Sequence, residues 1–161
     1  MKRLEKYKSG IILPLKENFS NIGFGAVSIW VNEYQKFTKL NKDLVFCKKL
    51  PKDYKYLNRN VFPIKVKHNL YTNLQYIRNI NLEIIKNSIQ IIEIHNRPEY
   101  AFYLIKNNPT VKINLIFHND PNTIRYSNNI KYKNYLLNNC NKIIFVSNWV
   151  KKRFFVGLND N

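Results

Sequence analysis

The stretch IQIIEIHNRPEYAFYLIKNNPTVKINLIFHND, residues Ile89–Asp120, alternates between two kinds of sequence pattern. The apolar runs Ile89–His95 and Thr110–His118 are rich in β-branched residues and too short for typical helices, which predicts two strands. Between them, Pro98 followed by Glu99 is typical of a first helical turn, and the residues that follow are predicted to be helical. A strand, a helix and a second strand in this order predict a parallel βαβ unit.

Segments on both sides of this unit continue the alternation of strands and helices. Further strands are predicted over residues 9–15, 43–50 and 141–147, and helices over residues 25–40, 69–87, 128–140 and after Ser147. A weak strand is predicted over residues 60–66, at an edge or in a loop, because Pro63 lacks the N–H that an inner strand needs. The strands are apolar on both faces, which predicts an α/β fold with a Rossmann-like parallel sheet and helices on both faces. No linker rich in Pro, Gly or Ser interrupts the chain, so a single domain is expected over residues 1–161.

The composition is that of a globular domain. The chain has 161 residues, of which 45% are hydrophobic, and no apolar run approaches the ~18 residues of a membrane span. The apolar run Ile11–Leu15 is too short for a secretory signal, which needs about 7–15 apolar residues. Cys47 and Cys140 lack metal-type spacing, and a chain of this size needs no disulfide. We therefore expect a cytoplasmic protein.

The formal net charge of +17 has several interpretations. Lysine, asparagine and isoleucine are all abundant, a bias typical of AT-rich coding, so the charge is explained most simply as a solvated lysine-rich surface. The functional interpretations are attraction to an anionic membrane or a phosphorylated substrate, and, with less support, to nucleic acid.

Ligands of open parallel sheets bind outside the carboxyl ends of the strands, and polar residues gather at three such ends. After the first strand, Gly23 and Gly25 precede a helix, where the backbone can approach a ligand and the helix N-terminus favours an anion. A dinucleotide-binding fingerprint would need a third glycine, but Ser28 stands there and no acidic strand tip follows. The loop is interpreted as facing a phosphate or sugar, with a purely structural turn as the alternative.

The other two strand ends carry the residues His95-Asn96-Arg97 and His118-Asn119-Asp120. Two histidines at equivalent strand ends favour a functional site over two unrelated surface residues. A metal site would need further ligands, and no H-x-x-x-H or cysteine pair supplies them, so no metal is expected. Asn119 and Asp120 are predicted to shape the turn, and Ser147 to cap the last helix.

Taken in order, four segments resemble the N-terminal, acceptor-side domain of a family 4 glycosyltransferase with the GT-B fold. The segments are IILPLKENFSNIGFGAVSIWV, IIEIHNRPEYAFYL, INLIFHNDP and KIIFVSNWVKKRFF, and the resemblance covers nearly the whole chain. It implies that residues 1–161 are one half of a GT-B fold, incomplete at the C-terminus. The donor-binding half and the linker to it are missing, so the chain alone is not expected to catalyse transfer.

The resemblance implies transfer of a sugar from a nucleotide-sugar to a polysaccharide, lipopolysaccharide or lipid-linked acceptor, with the nucleotide-sugar as co-substrate and no other cofactor. It implies a position at the inner face of the cytoplasmic membrane, with peripheral contact to anionic lipid. His118 would line the cleft near the transferred sugar as the catalytic residue. Gly23, Gly25 and Ala26 would form a substrate-binding loop that faces the donor phosphates and the acceptor. The other substrate-binding residues would be His95, Asn96 and Arg97 beside the acceptor, Asn119, and Ser147 at the cleft floor.

Two other functions remain open. One is a non-catalytic basic module that binds nucleic acid or an acidic partner, although strand tips rich in His, Asn and Asp argue against nucleic acid. The other is a Rossmann-type oxidoreductase, weakened by Ser28. The segments Ile130–Leu137 and Val150–Phe155 mix basic and aromatic residues, which fits either a lipid-facing surface or an ordinary helix with its aromatic residues turned inward.

Overall fold

The computed structural model describes residues 9–23, 25–37, 43–57, 60–67 and 70–158. Its elements, in chain order, are β1 (Ser9–Ile12), α1 (Ala26–Phe37), β2 (Leu44–Lys48), β3 (Val61–Ile64), α2 (Thr72–Lys86), β4 (Ile91–His95), α3 (Pro98–Asn107), β5 (Lys112–Phe117), a 3-10 turn (Pro121–Thr123), α4 (Ile130–Asn139), β6 (Lys142–Phe145) and α5 (Asn148–Phe155).

The fold is α/β, with a parallel sheet in the strand order β3-β2-β1-β4-β5-β6, and it confirms the Rossmann-like prediction. Of the two positions that Pro63 allowed, an edge or a loop, the structure shows the edge, because β3 lies at one end of this order with Pro63 opposite Cys47. Residues 38–40 and Asn69, which the sequence assigned to the ends of two helices, lie outside the described residues. None of the helices in the described part of the chain has the length and apolarity that a bilayer crossing requires.

The chain divides into two compact units, Met1–Ile91 and Ile92–Asn161. In the first unit, Ile11 of β1 pairs with Val45 of β2, and both side chains are fully buried. Their core continues into the first turns of α1 through Val27 and Val31. Burial of nearly every residue of β1 and β2 follows from apolar side chains on both faces of a parallel strand.

In the second unit, β5 pairs in parallel with β6, and Phe117 lies opposite Phe145. Both rings pack against Phe154 of α5, which is fully buried. Every residue of β6 is at least partly exposed, and Ile144 is 38% exposed, unlike the doubly buried strand that its apolar sequence suggests. This exposure follows from the position of β6, which is the last strand of the order and has a neighbouring strand on one side.

Tyr76 of α2 places a hydroxyl in the core of the first unit. Its side chain is fully buried, and its hydroxyl lies 3.1 Å from the carbonyl oxygens of both Leu13 and Phe46. These two residues are already joined, since the Leu13 N–H donates to the Phe46 carbonyl at 3.0 Å. The phenol therefore attaches α2 to the carboxyl ends of β1 and β2.

We expect the substitution Tyr76→Phe to lower the free energy of unfolding by about 1–2 kcal/mol, because the buried carbonyl oxygens of Leu13 and Phe46 lose the hydroxyl and Phe46 keeps the Leu13 N–H as a donor. Urea denaturation followed by circular dichroism measures the change. Tyr54→Phe, the same change at a half-buried position, is the control and should stay within about 0.5 kcal/mol of the wild type. Equal losses in the two variants would contradict an anchoring role for the Tyr76 hydroxyl.

Candidate functional site

The two histidines that the sequence singled out are in direct contact in the second unit. His95 is the last residue of β4, and His118 follows the last residue of β5. The distance from His95 Nδ1 to His118 Nε2 is 2.9 Å, and the rings are stacked with centroids 5.2 Å apart. His95 is fully buried, whereas His118 is partly exposed. At these strand ends the partly exposed His118 therefore packs against the buried His95.

Burial determines the protonation state of His95. Desolvation lowers the pKa of His95 to about 3, and the neighbouring charge of His118 acts in the same direction. His95 is thus neutral near neutral pH, and one hydrogen lies between the two facing nitrogens.

Asn96 holds the two strand ends together. Its backbone is left-handed, with φ of 52°, and its N–H donates to the Ile116 carbonyl at 2.9 Å. Its side-chain oxygen accepts from the N–H groups of His118 at 2.8 Å and Asn119 at 3.3 Å. Asn96 is buried and its contacts lie within the protein, so the substrate contact that the resemblance assigned to it stays a prediction.

Arg97 brings a positive charge to the same strand end. Its Nη1 donates to the Asn96 carbonyl at 3.3 Å, and its Nε lies 3.7 Å from Glu99 Oε1 in the first turn of α3. Burial raises the pKa of Glu99, while Arg97 and Arg125 act in the opposite direction. Because about a third of the Arg97 side chain is exposed and Asn119 is exposed, both can meet a ligand beside His118.

Asp120 and Ser147 have the structural roles that the sequence predicted. Asp120 Oδ1 accepts from the Asn122 N–H at 3.0 Å, and its Oδ2 forms an ion pair with Arg153 of α5 at 2.9 Å. Ser147 Oγ accepts from the Val150 N–H at 3.2 Å and caps α5. Both carboxylate oxygens of Asp120 are thus engaged, which favours turn formation over acid–base chemistry at this residue.

The glycine-containing loop lies in the first unit, and the structure adds a residue there that sequence reasoning missed. The carboxylate of Glu17 accepts from the Ser28 hydroxyl at 3.1 Å and from the Ser28 N–H at 3.4 Å, in the first turn of α1. A Cβ on Gly25 would lie 1.9 Å from Glu17 Oε2, and Gly23 has a left-handed φ of 65°. No spacing in the sequence points to Glu17.

The start of α1 therefore already holds an anion that belongs to the protein. A phosphate bound there would have to displace or share the position of the Glu17 carboxylate, since both favour the same N–H groups. The predicted contacts of Gly23, Gly25 and Ala26 with a phosphate remain predictions.

No model of a known protein family matches the chain, and no match was found among curated protein sequences. Within the described ranges, no three His, Cys, Asp or Glu side chains are grouped as they would be around a metal ion.

Three variants of Asn96 separate the stability contribution of its left-handed backbone from that of its side-chain oxygen. Asn96→Ala should lower the free energy of unfolding by about 2–3 kcal/mol, because it loses two hydrogen bonds and places a Cβ residue at positive φ. Asn96→Gly should recover about 1 kcal/mol of this loss, since glycine adopts that φ freely. Asn96→Asp keeps the acceptor and should be the mildest. Urea denaturation ranks the variants, and a glycine variant no better than alanine would refute the backbone contribution.

His95 should make the stability of the protein depend on pH. In the unfolded chain His95 is protonated below about pH 6.5, whereas in the folded protein it is protonated only below about pH 3. Stability should therefore rise with pH across this window, with a contribution of up to about 1.4 kcal/mol per pH unit. His95→Gln, which retains hydrogen-bonding groups, should flatten the slope. Urea denaturation at several pH values tests this, and the same slope in both proteins would contradict the burial of a neutral His95.

Proposed function

We propose that this chain is the acceptor-side domain of a glycosyltransferase, which transfers a sugar from a nucleotide-sugar to a polysaccharide, lipopolysaccharide or lipid-linked acceptor. The observation that carries the proposal is the supported, partly exposed His118 at the carboxyl ends of parallel strands, where ligands of such sheets bind. The resemblance of four segments to family 4 glycosyltransferases supplies the reaction class.

In this proposal His118 contacts the sugar that is transferred. Sugar transfer requires hydroxyl groups to be oriented and charge to be stabilised as the bond to the leaving diphosphate weakens. The backbone of His118 is held by Asn96 Oδ1 and its ring by His95, so it reaches the substrate in a defined orientation. The exposed groups beside it, Arg97 and Asn119, contact the acceptor.

His95 then acts as a positioning residue. The resemblance placed it beside the acceptor, but its side chain has no exposed surface. Its contribution comes through the 2.9 Å hydrogen bond to His118, which selects the ring orientation and keeps the shared hydrogen between the two rings.

The remaining parts of the proposal follow from the resemblance. The leaving diphosphate binds at the first turn of α1, near Gly23, Gly25 and Ala26, once the Glu17 carboxylate moves. Ser147 lies at the floor of the cleft while capping α5. A donor-binding half, in the same or a second polypeptide, completes the enzyme, which works in the cytoplasm at the membrane surface and needs no metal.

We expect His118→Ala to lower sugar transfer by about 10²–10³-fold, because a preorganised hydrogen-bonding group is lost at the reacting sugar. The assay co-expresses the chain with the polypeptide encoded next to it and follows radiolabelled sugar from a panel of nucleotide-sugars into membrane acceptors. Lys112→Ala, an exposed change at the opposite end of β5, is the control and should retain full activity. Unchanged turnover in His118→Ala would refute the assigned role.

The positioning role of His95 has a separate readout. His95→Gln should reduce turnover less than His118→Ala and should shift the pH profile of turnover, since the environment of His118 changes. An unaltered pH profile would contradict the positioning role. If no nucleotide-sugar is consumed and the chain binds RNA or DNA tightly with a steep salt dependence, the basic binding module replaces the transferase.

A further inference from the structure

Trp149 exposes a large aromatic ring at the strand ends that carry His118. It stands in the first turn of α5 and is 58% exposed. The other large apolar residues of this helix turn inward, since Val150 and Phe154 are buried and Phe155 is half-buried. Tryptophan gains much from leaving water, so a ring left exposed beside a candidate site indicates a contact surface.

The backbone places Trp149 next to His118. The parallel pairing of β5 with β6 reaches Phe117 and Phe145 and extends one residue further, because the Val146 N–H donates to the Phe117 carbonyl at 3.2 Å. Val146, which is 46% exposed, is therefore the cross-strand neighbour of His118. Trp149 follows three residues later. Side chains of a helix lean toward its N-terminus, which for α5 is the end at the strand tips.

An ion pair of the same strand end supports the Trp149 ring. The guanidinium carbon of Arg153 lies 6.0 Å from the ring centroid, in a cation–π contact one helical turn away. Arg153 Nε donates to Asp120 Oδ2 at 2.9 Å, and the Arg153 carbonyl accepts from Asn122 Nδ2 at 2.8 Å. Asp120 stands two residues after His118. One arginine thus attaches the indole to the turn that follows the histidine.

Polar groups border the exposed ring. Ser147 and Asn148, which immediately precede Trp149, are exposed, and Asn119 beside His118 is exposed as well. Hydroxyl and amide side chains both donate and accept hydrogen bonds, so Ser147 can donate to a ligand while it caps α5. A flat apolar face with such groups at its rim complements a pyranose ring, which has C–H groups on its faces and hydroxyl groups around its edge.

We propose that Trp149 is the stacking platform of a saccharide-binding subsite, on which a sugar ring of the acceptor lies. The hydroxyls of this ring bond to Asn119, Ser147 and Asn148, and its reactive hydroxyl points toward His118. The inference rests on the proposed function and narrows it. It selects an acceptor that ends in a sugar residue over a lipid phosphate that carries no sugar.

Other occupants fit this surface less well. A protein partner covers about 800 Å² on each side of a stable interface, whereas the exposed neighbours of Trp149 on α5, Lys151 and Lys152, are charged. A nucleic-acid base would also stack on the ring. The cation nearest to the ring, Arg153, is already paired with Asp120, which weakens its attraction to a nucleic-acid phosphate.

The test is binding of the labelled 161-residue chain to an array of immobilised neutral oligosaccharides, lipopolysaccharide cores and an isoprenoid phosphate without sugar. The wild type should bind at least one saccharide and should not bind the isoprenoid phosphate. Calorimetry then gives the dissociation constant of the saccharide bound best. Trp149→Ala should weaken this binding about tenfold or more, because the stacking surface is lost. Trp149→Phe keeps an aromatic face and should stay within about threefold of the wild type.

The matched control is the same change at the other tryptophan of the chain. Trp30 of α1 is 37% exposed and is stacked on Tyr34 with ring centroids 5.3 Å apart, so Trp30→Ala should bind the saccharide like the wild type. Melting curves identify a temperature at which every variant is folded. In Trp30→Phe the fluorescence comes from Trp149, and a bound saccharide should shield it from quenching by acrylamide.

The proposal is overturned if the wild type binds no saccharide on the array, if Trp149→Ala binds as tightly as the wild type, or if Trp30→Ala loses as much binding. It is also overturned if the isoprenoid phosphate is bound in place of saccharides, or if RNA and no saccharide shields Trp149. Sugar transfer that depends on His118 would leave the proposed function standing in each of these cases. Saccharide binding through Trp149 without sugar transfer would instead remove the transferase and leave a saccharide-binding domain.

Discussion

The left-handed backbone of Asn96, with its side-chain oxygen bound to the N–H groups of His118 and Asn119, is the constraint on which the strand-tip site depends. It turns the chain immediately after His95 and fixes the backbone where β5 ends. The two imidazoles can then meet at 2.9 Å. Asp120 continues the same chain into a turn that Arg153 of α5 holds in place. A change in the Asn96 backbone would therefore displace the polar residues of this strand end.

Burial gives two identical side chains different properties. His95 has no contact with water and keeps a neutral ring, since desolvation penalises its charged form. His118 retains contact with solvent and is the member of the pair that a ligand can reach. The loss of hydration at His95 is a cost in stability at acid pH. The buried His95 in turn gives His118 a rigid and neutral hydrogen-bonding partner.

The first unit places a carboxylate at the start of one helix and keeps apolar side chains of another helix exposed. Glu17 brings a carboxylate to the start of α1, where an external phosphate would otherwise be favoured. Leu74, Leu82 and Ile85 of α2 are each more than half exposed, so this helix keeps apolar side chains at the surface.

The sequence by itself determined the order of strands and helices, the turn at Asp120 and the cap at Ser147, and it limited the segment around Pro63 to an edge strand or a loop. These features follow from local patterns, namely apolar periodicity, the missing N–H of proline and short-range hydrogen bonds. Only the tertiary structure decided that His95 is buried beneath His118, that Glu17 reaches Ser28, and that β6 and α2 keep apolar faces exposed. Each of these depends on contacts, or on missing neighbours, between segments far apart in the chain, and burial is a property of that packing that a linear pattern does not encode.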